Sequence, residues 1–376
     1  ESFFKITNIN DLVINTLFLI LVITAPAATS SSNSSLVGIS ILVVFIISNF
    51  IRKNDSSFNY KNIIKQLPFI LFTCYYVINK YQYINYYIFA YIFLFFILSI
   101  LKPYLKKNYL KNIYFLLLLF GLIQIIGYYL FGLKVCFFNY QCALVERLNF
   151  FDGFYRSNSL LFEPGDFACF SILLSTLAFK PQRKIIYTDL IICTISLSAA
   201  SFFLFIAKLI IYNLDLKLIY AFIKNLIQGL IEKRNILLFL ITTFLIFLII
   251  NYLIYKGLGT TRDAAFTQRA ATISSIIQTF FEGKILTGGG FELYRELRLV
   301  DSLTYGISIL AVQGLIGLSI AFISSILFTT DIRFPILLFI SRFNPTSLYI
   351  ILLIYFFILF NKKIENKPIK YKILNQ

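Results

Sequence analysis

The chain has 376 residues, of which 59% are hydrophobic and only 14% are charged, and its mean hydropathy is +0.82. Apolar runs of about twenty residues recur along it, which is typical of membrane-spanning helices and excludes a soluble globular protein. The net charge of +17 comes from Lys and Arg clustered in short loops between those runs. This positive-inside pattern argues against nucleic-acid binding. Met, His and Trp are all absent, an initiator Met included, so we expect the sequence to be truncated or to lack residues.

The apolar runs predict an all-α polytopic membrane protein with about twelve transmembrane helices and both termini in the cytoplasm. No cleavable signal peptide is expected, because the first apolar run suits a span. Two turns, at 196–201 and 342–346, are predicted to face outward. The segment 216–234 is predicted to form an in-plane cytoplasmic helix, and the segment 362–376 a basic cytoplasmic tail. The predicted spans are 12–29, 36–51, 67–79, 83–101, 112–133, 166–180, two within 185–215, 235–256, 304–328 and two within 334–361.

Two long loops, 134–165 and 257–303, are predicted to face outward, and long ordered loops usually carry function. The first contains Cys136 and Cys142, which form either a disulfide or two free thiols in that oxidising compartment. The remaining cysteines lie in apolar runs and are expected to be packing residues. With no His and scattered Cys, a metal site is not expected.

The end of the first loop places Arg156, Glu163 and Asp166 at a predicted membrane boundary. Glu163 precedes Pro164, which favours extended geometry, and Pro164 suits the first position of the next helix. Asp166 then lies in the first helical turn, against the positive end of the helix dipole. We expect these charges to form half of an active site; a structural ion pair between Glu163 and Arg156 is the alternative.

The second loop contains a predicted amphipathic helix that ends at Gly283. Arg262 and Arg269 lie seven residues apart on it and share a face, so they can bind one anion. Interfacial snorkelling or lipid-headgroup binding is the alternative. The apolar stripe comprises Ile273, Ile276, Ile277, Phe280 and Phe281.

Three consecutive glycines, residues 288–290, follow this helix, and Arg295, Arg298 and Asp301 come next. A nucleotide-binding loop is rejected, because no strand precedes the glycines and the spacing matches no phosphate-binding motif. The turn lets the amides of Gly289 and Gly290 approach an anion, or it serves as a flexible hinge. Asp301 either takes part in chemistry or caps the next span.

The outer loops therefore offer guanidiniums and carboxylates, without metal ligands or a nucleophile paired with His. Arginines bind diphosphates bidentately, and a partly buried carboxylate can act as a general base toward a sugar hydroxyl. These groups predict a glycosyltransferase that needs no cofactor and uses a lipid-linked donor.

The motifs are, in order, Arg156…Glu163-Pro164, Arg269, Gly288-Gly-Gly-Phe291, Asp301-Ser302 and Gln313-Gly-Leu-Ile-Gly317. Over roughly residues 150–320 they resemble the superfamily of O-antigen ligases and Wzy-type O-antigen polymerases, which are GT-C-like membrane glycosyltransferases. The resemblance implies metal-independent, inverting transfer of glycans from undecaprenyl diphosphate at the periplasmic face of the inner membrane. Asp301-Ser302 falls where ligases show a His-Asn pair, so the absence of His favours a polymerase.

The resemblance matches Arg156 to the arginine that opens the family's first motif and Arg269 to the arginine before its glycine turn. The residues themselves suggest the other roles. Arg156 and Arg269, helped by Arg262, Arg295 or Arg298, would hold the diphosphate. Glu163 is the favoured base and Asp301 the other candidate. The expected partners are lipid-linked glycan donor and acceptor, membrane lipids, a chain-length regulator and a flippase. A lipid-linked oligosaccharide transporter would instead show internal repeats, Gly- or Pro-broken spans and mid-membrane ionisable residues, whereas the charges here lie mainly in loops.

Overall fold

The computed structural model describes residues 67–68, 71–72, 74–76, 107–137, 150–151, 154–161, 163–179, 183–212, 273–290, 292–293, 304–326, 332–343, 350, 353–354 and 357. This part of the chain is predominantly helical. The helices are α1 (Lys107–Phe131), α2 (Pro164–Ala178), α3 (Arg183–Ser196), α4 (Ala199–Ile211), α5 (Tyr305–Ile326) and α6 (Arg333–Ile340). Strands β1 (Phe150–Phe151) and β2 (Phe154–Tyr155) pair antiparallel, and helical residues 273–279 continue into a π-helical turn, Phe280–Lys284.

Helices form where the apolar runs predict them. The helix predictions over 112–133, 166–180 and 304–328 are confirmed by α1, α2 and α5, and the two short helices predicted within 185–215 are α3 and α4. Among the described residues, α1 and α5 are long and apolar enough to cross a membrane. Predictions for the spans before residue 67, for 83–101 and 235–256, and for the segments 216–234 and 362–376 lie outside the described residues.

Local sequence signals set the helix ends. Gly132 follows α1 in a left-handed conformation (φ 66°), and its N–H donates to the carbonyl of Tyr128 at 2.9 Å. This is the αL motif that glycine favours at a helix C-terminus. At the start of α2, Glu163 is extended, Pro164 is the first helical residue and Asp166 lies in the first turn, as predicted.

Helix α2 lies at the centre of the described packing. All of its residues are buried except Asp166 and Thr176, and it contacts α1, α3, α4 and α6. A helix that is apolar all round is expected at such a position. Cys169 and Cys193 are buried free thiols in this core, which confirms the prediction that they are packing residues.

Helix α5 is interrupted near its middle, which the sequence did not predict. Gly314 has a non-helical backbone (φ 63°, ψ −161°) and divides the helix into two halves. The segment 285–289 fills the interruption. The N–H groups of Leu315 and Ile316 donate to the carbonyls of Ile285 and Leu286 at 3.0 and 3.1 Å. These two N–H groups at the break are therefore paired with a segment from earlier in the chain.

Candidate functional site

Glu163 is held by an arginine from the far end of the chain. Arg342 Nη2 donates to Glu163 Oε2 at 2.9 Å, and the side chains retain 24% and 28% exposure. Arg342 follows the end of α6, and Glu163 stands at the head of α2. Among the described residues, Glu163 Oε1 accepts no hydrogen bond. One carboxylate oxygen is thus fixed by a charge-assisted bond, and the other is engaged by none of the residues that the structure describes.

The first turn of α2 is shaped to receive this guanidinium. A Cβ at Gly165 would lie 2.6 Å from Arg342 Nη1, so the lack of a side chain there lets Arg342 pass over the turn. Burial lowers the pKa of the Arg342 guanidinium. The nearby carboxyl groups of Glu163 and Asp166 raise that pKa by more than burial lowers it, so the pKa lies above its ordinary value. Arg342 therefore remains a cation, paired with Glu163.

The segment that leads from Arg156 to Glu163 is packed into the helices. Ser157, Asn158 and Ser159 are buried, although all three are polar. Ser157 N–H donates to the carbonyl of Ile195 at 2.8 Å, and further bonds join the segment to α1. Arg156 directly follows β2 and is partly buried. The motif is therefore packed into the fold, and Arg156 and Glu163 lie at its two ends.

The glycine turn is packed against the break in α5. Gly288 and Gly290 have positive φ angles of 72° and 58°, which only glycine adopts readily. The Gly288 amide donates to the carbonyl of Lys284 at 2.7 Å, and the Gly289 amide donates to that of Ala311 at 2.8 Å. These two amides are engaged within the protein. The Gly289 amide, predicted to approach an anion, is bonded to Ala311 instead, whereas the anion-binding role of Gly290 stays a prediction.

Replacing Gly288 with Ala should detach the turn from α5. An added Cβ would lie 2.5–2.6 Å from the backbone atoms of Val312, Gln313 and Gly314, and no flexible side chain is there to yield. Because the positive φ adds strain to this clash, we expect the free energy of unfolding to fall by at least about 2 kcal/mol. This loss would be measured as a lower thermal midpoint in detergent. The control is Gly290→Ala, whose Cβ meets nothing within 4 Å. Equal midpoints for the two variants would contradict the packing argument.

A buried charge pair lies among α2, α3 and α4. Lys208 Nζ bonds Asp189 Oδ2 at 2.7 Å, with side-chain exposures of 14% and 1%. The other carboxylate oxygen, Asp189 Oδ1, accepts from the Ser175 hydroxyl and from the Tyr114 hydroxyl, both at 2.9 Å. Lys208 Nζ also donates to Ser175 Oγ at 2.7 Å. The expectation that charges lie mainly in loops did not foresee this pair.

The other predicted site residues cannot be placed around Glu163. Arg262, Arg269, Arg295, Arg298 and Asp301 lie outside the described residues, and so does Cys142. Cys136 is disulfide-bonded, which supports the disulfide alternative for the first outer loop.

Arg342 and Gln124 were missed as candidate site residues, although the sequence marks both. Arg342 is a single arginine in an apolar region, at a turn already predicted to face outward like Glu163. Gln124 is an uncharged polar residue inside the apolar run of α1, and its side chain bonds the Arg156–Glu163 segment. Polar residues in such runs usually have a specific partner. Their partners could not be read from the sequence.

No protein-family model, curated protein or solved structure matches this chain.

Proposed function

We propose that this chain is a polytopic, GT-C-like inner-membrane glycosyltransferase with about twelve spans. It would polymerise undecaprenyl-diphosphate-linked oligosaccharide repeat units into O-antigen or a related surface polysaccharide at the periplasmic face. The motif resemblance names this reaction. The observation that carries it is the Glu163 carboxylate, which Arg342 fixes at the head of α2 through one oxygen, while no described residue engages the other.

Two further observations support an outward-facing site. Cys136 is disulfide-bonded, and disulfides form in oxidising compartments such as the periplasm. The N–H of Tyr305, at the start of α5, donates to the carbonyl of Ser341 at 2.8 Å, beside Arg342. The starts of α2 and α5 and the end of α6 are thereby joined around Glu163. An active site at one end of the helices fits a substrate whose lipid stays in the membrane and whose glycan projects from it.

In the proposed reaction, the acceptor is a hydroxyl at the non-reducing end of an incoming lipid-linked repeat unit. Glu163 accepts the proton of this hydroxyl as its oxygen attacks the anomeric carbon of the growing chain. The new carbon–oxygen bond forms as the bond to the diphosphate oxygen breaks, with inversion. Arg156 and Arg269, helped by Arg262, Arg295 or Arg298, stabilise the charge that develops on undecaprenyl diphosphate as it leaves.

Purified protein given a synthetic undecaprenyl-diphosphate repeat unit, with EDTA present, should yield a ladder of products spaced by one repeat on a gel. The ladder is expected because this mechanism needs no metal. Protein inactivated by heat is the control. If repeats are transferred only to added lipid A core, the protein is a ligase despite having no histidine. If no glycosidic bond forms under any of these conditions, the proposal is wrong.

A lipid-linked oligosaccharide transporter is the second candidate. Discontinuous helices and ionisable residues within the membrane are features of transporters. The break of α5 at Gly314 and the buried Asp189–Lys208 pair match these two features. Movement of the lipid-linked repeat across liposomes, without any transfer product, would favour this candidate over the polymerase.

A further inference from the structure

One buried side chain of α1 bonds the end of the first outer loop. Gln124 is fully buried, and its amide oxygen accepts from the Ser157 hydroxyl and from the Ser159 N–H, both at 2.8 Å. Its amide nitrogen donates to Asn158 Oδ1 at 3.0 Å and to the Ser159 carbonyl at 3.1 Å. The oxygen and the nitrogen of this amide thus bond three consecutive residues, 157–159, which directly follow Arg156.

The same amide also bonds the beginning of that loop. Gln124 Nε2 lies 3.2 Å from the carbonyl of Val135, and the Tyr155 hydroxyl donates to that carbonyl at 3.3 Å. Val135 precedes Ser159 by 24 positions, yet both bond one amide group. Gln124 therefore closes the base of the loop at 134–165.

The backbone of the bonded segment has a conformation that needs such support. Ser159 has φ of 53°, in the left-handed region that residues other than glycine rarely adopt. Its hydroxyl donates to the carbonyl of Leu117 at 2.6 Å, in addition to the bond from its N–H to Gln124. An unfavourable conformation of this kind persists only where the surroundings determine it.

Helix α1 also leaves room for the segment. Gly121 lies one turn before Gln124, and a Cβ there would lie 3.0 Å from the side chains of Ile195 and Phe167 and 3.2 Å from Ser157 Oγ. The segment therefore fits into a space that a larger residue at position 121 would fill.

We infer that Gln124 is a positioning residue for the reaction: by bonding Val135 at the start of the outer loop and residues 157–159 at its end, it fixes where Arg156 and Glu163 stand relative to each other. The inference rests on the proposed function for its catalytic part. Gln124 contacts no substrate in this scheme and acts through the segment that it holds. A carboxamide suits the task because it offers an acceptor and two donors in one plane.

Gln124→Leu removes every hydrogen bond that the carboxamide makes while keeping a similar volume. Hydrogen exchange measured by mass spectrometry should speed up at least tenfold in peptides covering 155–161 but not in peptides from α5. The turnover number in the ladder assay should fall about 100-fold, since misplacement by about 1 Å costs that much, while KM for the lipid-linked repeat changes less than threefold. Thr176→Val is the control, because it removes a hydroxyl that bonds only its own helix, at Ile172.

Gln124→Glu should recover part of both losses, because a buried, protonated carboxyl can accept with one oxygen and donate with the other. Ser157→Ala removes two bonds, the one that its hydroxyl donates to Gln124 and the one that this hydroxyl accepts from the Ser159 N–H. It should shift exchange and turnover in the same direction as Gln124→Leu, by less, even if the latter fails to fold. The inference is overturned if folded Gln124→Leu exchanges hydrogen at residues 157–159 at the wild-type rate. It is also overturned if exchange in this variant is faster but its turnover number is unchanged. A wild-type protein without transferase activity instead refutes the proposed function, and the exchange result still decides whether Gln124 holds the loop.

Discussion

Replacing Glu163 with Gln is expected to abolish polymer while the folded protein accumulates normally. The amide keeps the shape of the side chain but cannot accept a proton from the attacking hydroxyl, and losing a general base typically costs about 10²–10⁴-fold in rate. The change also removes the negative partner of Arg342. Product ladders from equal amounts of purified protein, resolved by gel or mass spectrometry, provide the measurement.

The matched control for this substitution is Glu282→Gln. Glu282 is an exposed glutamate on the π-helical turn at 280–284, where it accepts a bond from Gln278, and we expect its replacement to leave the ladder unchanged. If Glu163→Gln makes polymer at the wild-type level, the assignment of Glu163 as the base is wrong. Asp301 then becomes the candidate to test.

Breaking the buried pair by Lys208→Met should destabilise the protein by about 3–5 kcal/mol, because it leaves an uncompensated carboxylate at Asp189, which is 1% exposed. The bonds from Tyr114 and Ser175 are neutral and cannot replace the lost cation. The thermal midpoint in detergent and the yield of monodisperse protein measure this loss. We expect both to fall sharply.

The double substitution Asp189→Asn with Lys208→Met is the control for that experiment. It removes both charges and keeps an acceptor for Tyr114 and Ser175, so the midpoint should return most of the way to the wild-type value. If Lys208→Met is instead as stable as the wild type but stops lipid from crossing liposomes, the pair is functional and the transporter is favoured.

Much of the local structure followed from the sequence, because local signals determine it. A proline after Glu163 restricts that residue to extended backbone and starts α2, and a polar, small-residue stretch in 185–215 separates α3 from α4. Apolar runs without charges predicted α1 and α5 to within a few residues. These features depend on neighbours in the chain and need no knowledge of distant contacts.

The contacts that build the candidate site could not be predicted this way. Glu163 and Arg342 are 179 positions apart, and a single sequence carries no record of which distant residues meet. The sequence offered Arg156 as the partner of Glu163 because it was near in the chain. Similarly, the glycines at 288–290 indicated a turn, but their packing against Gly314 depends on the fold.

The break in α5 has a consequence for how the protein is assembled in a membrane. The N–H groups of Leu315 and Ile316 have their acceptors on Ile285 and Leu286, and unpaired backbone groups in lipid cost several kcal/mol each. Gly314 is nine residues from Tyr305, roughly 13 Å along the axis, so these groups would lie near mid-bilayer. On the proposed membrane topology, α5 alone would leave these N–H groups unpaired in lipid, so we expect it to enter the membrane together with segment 285–289.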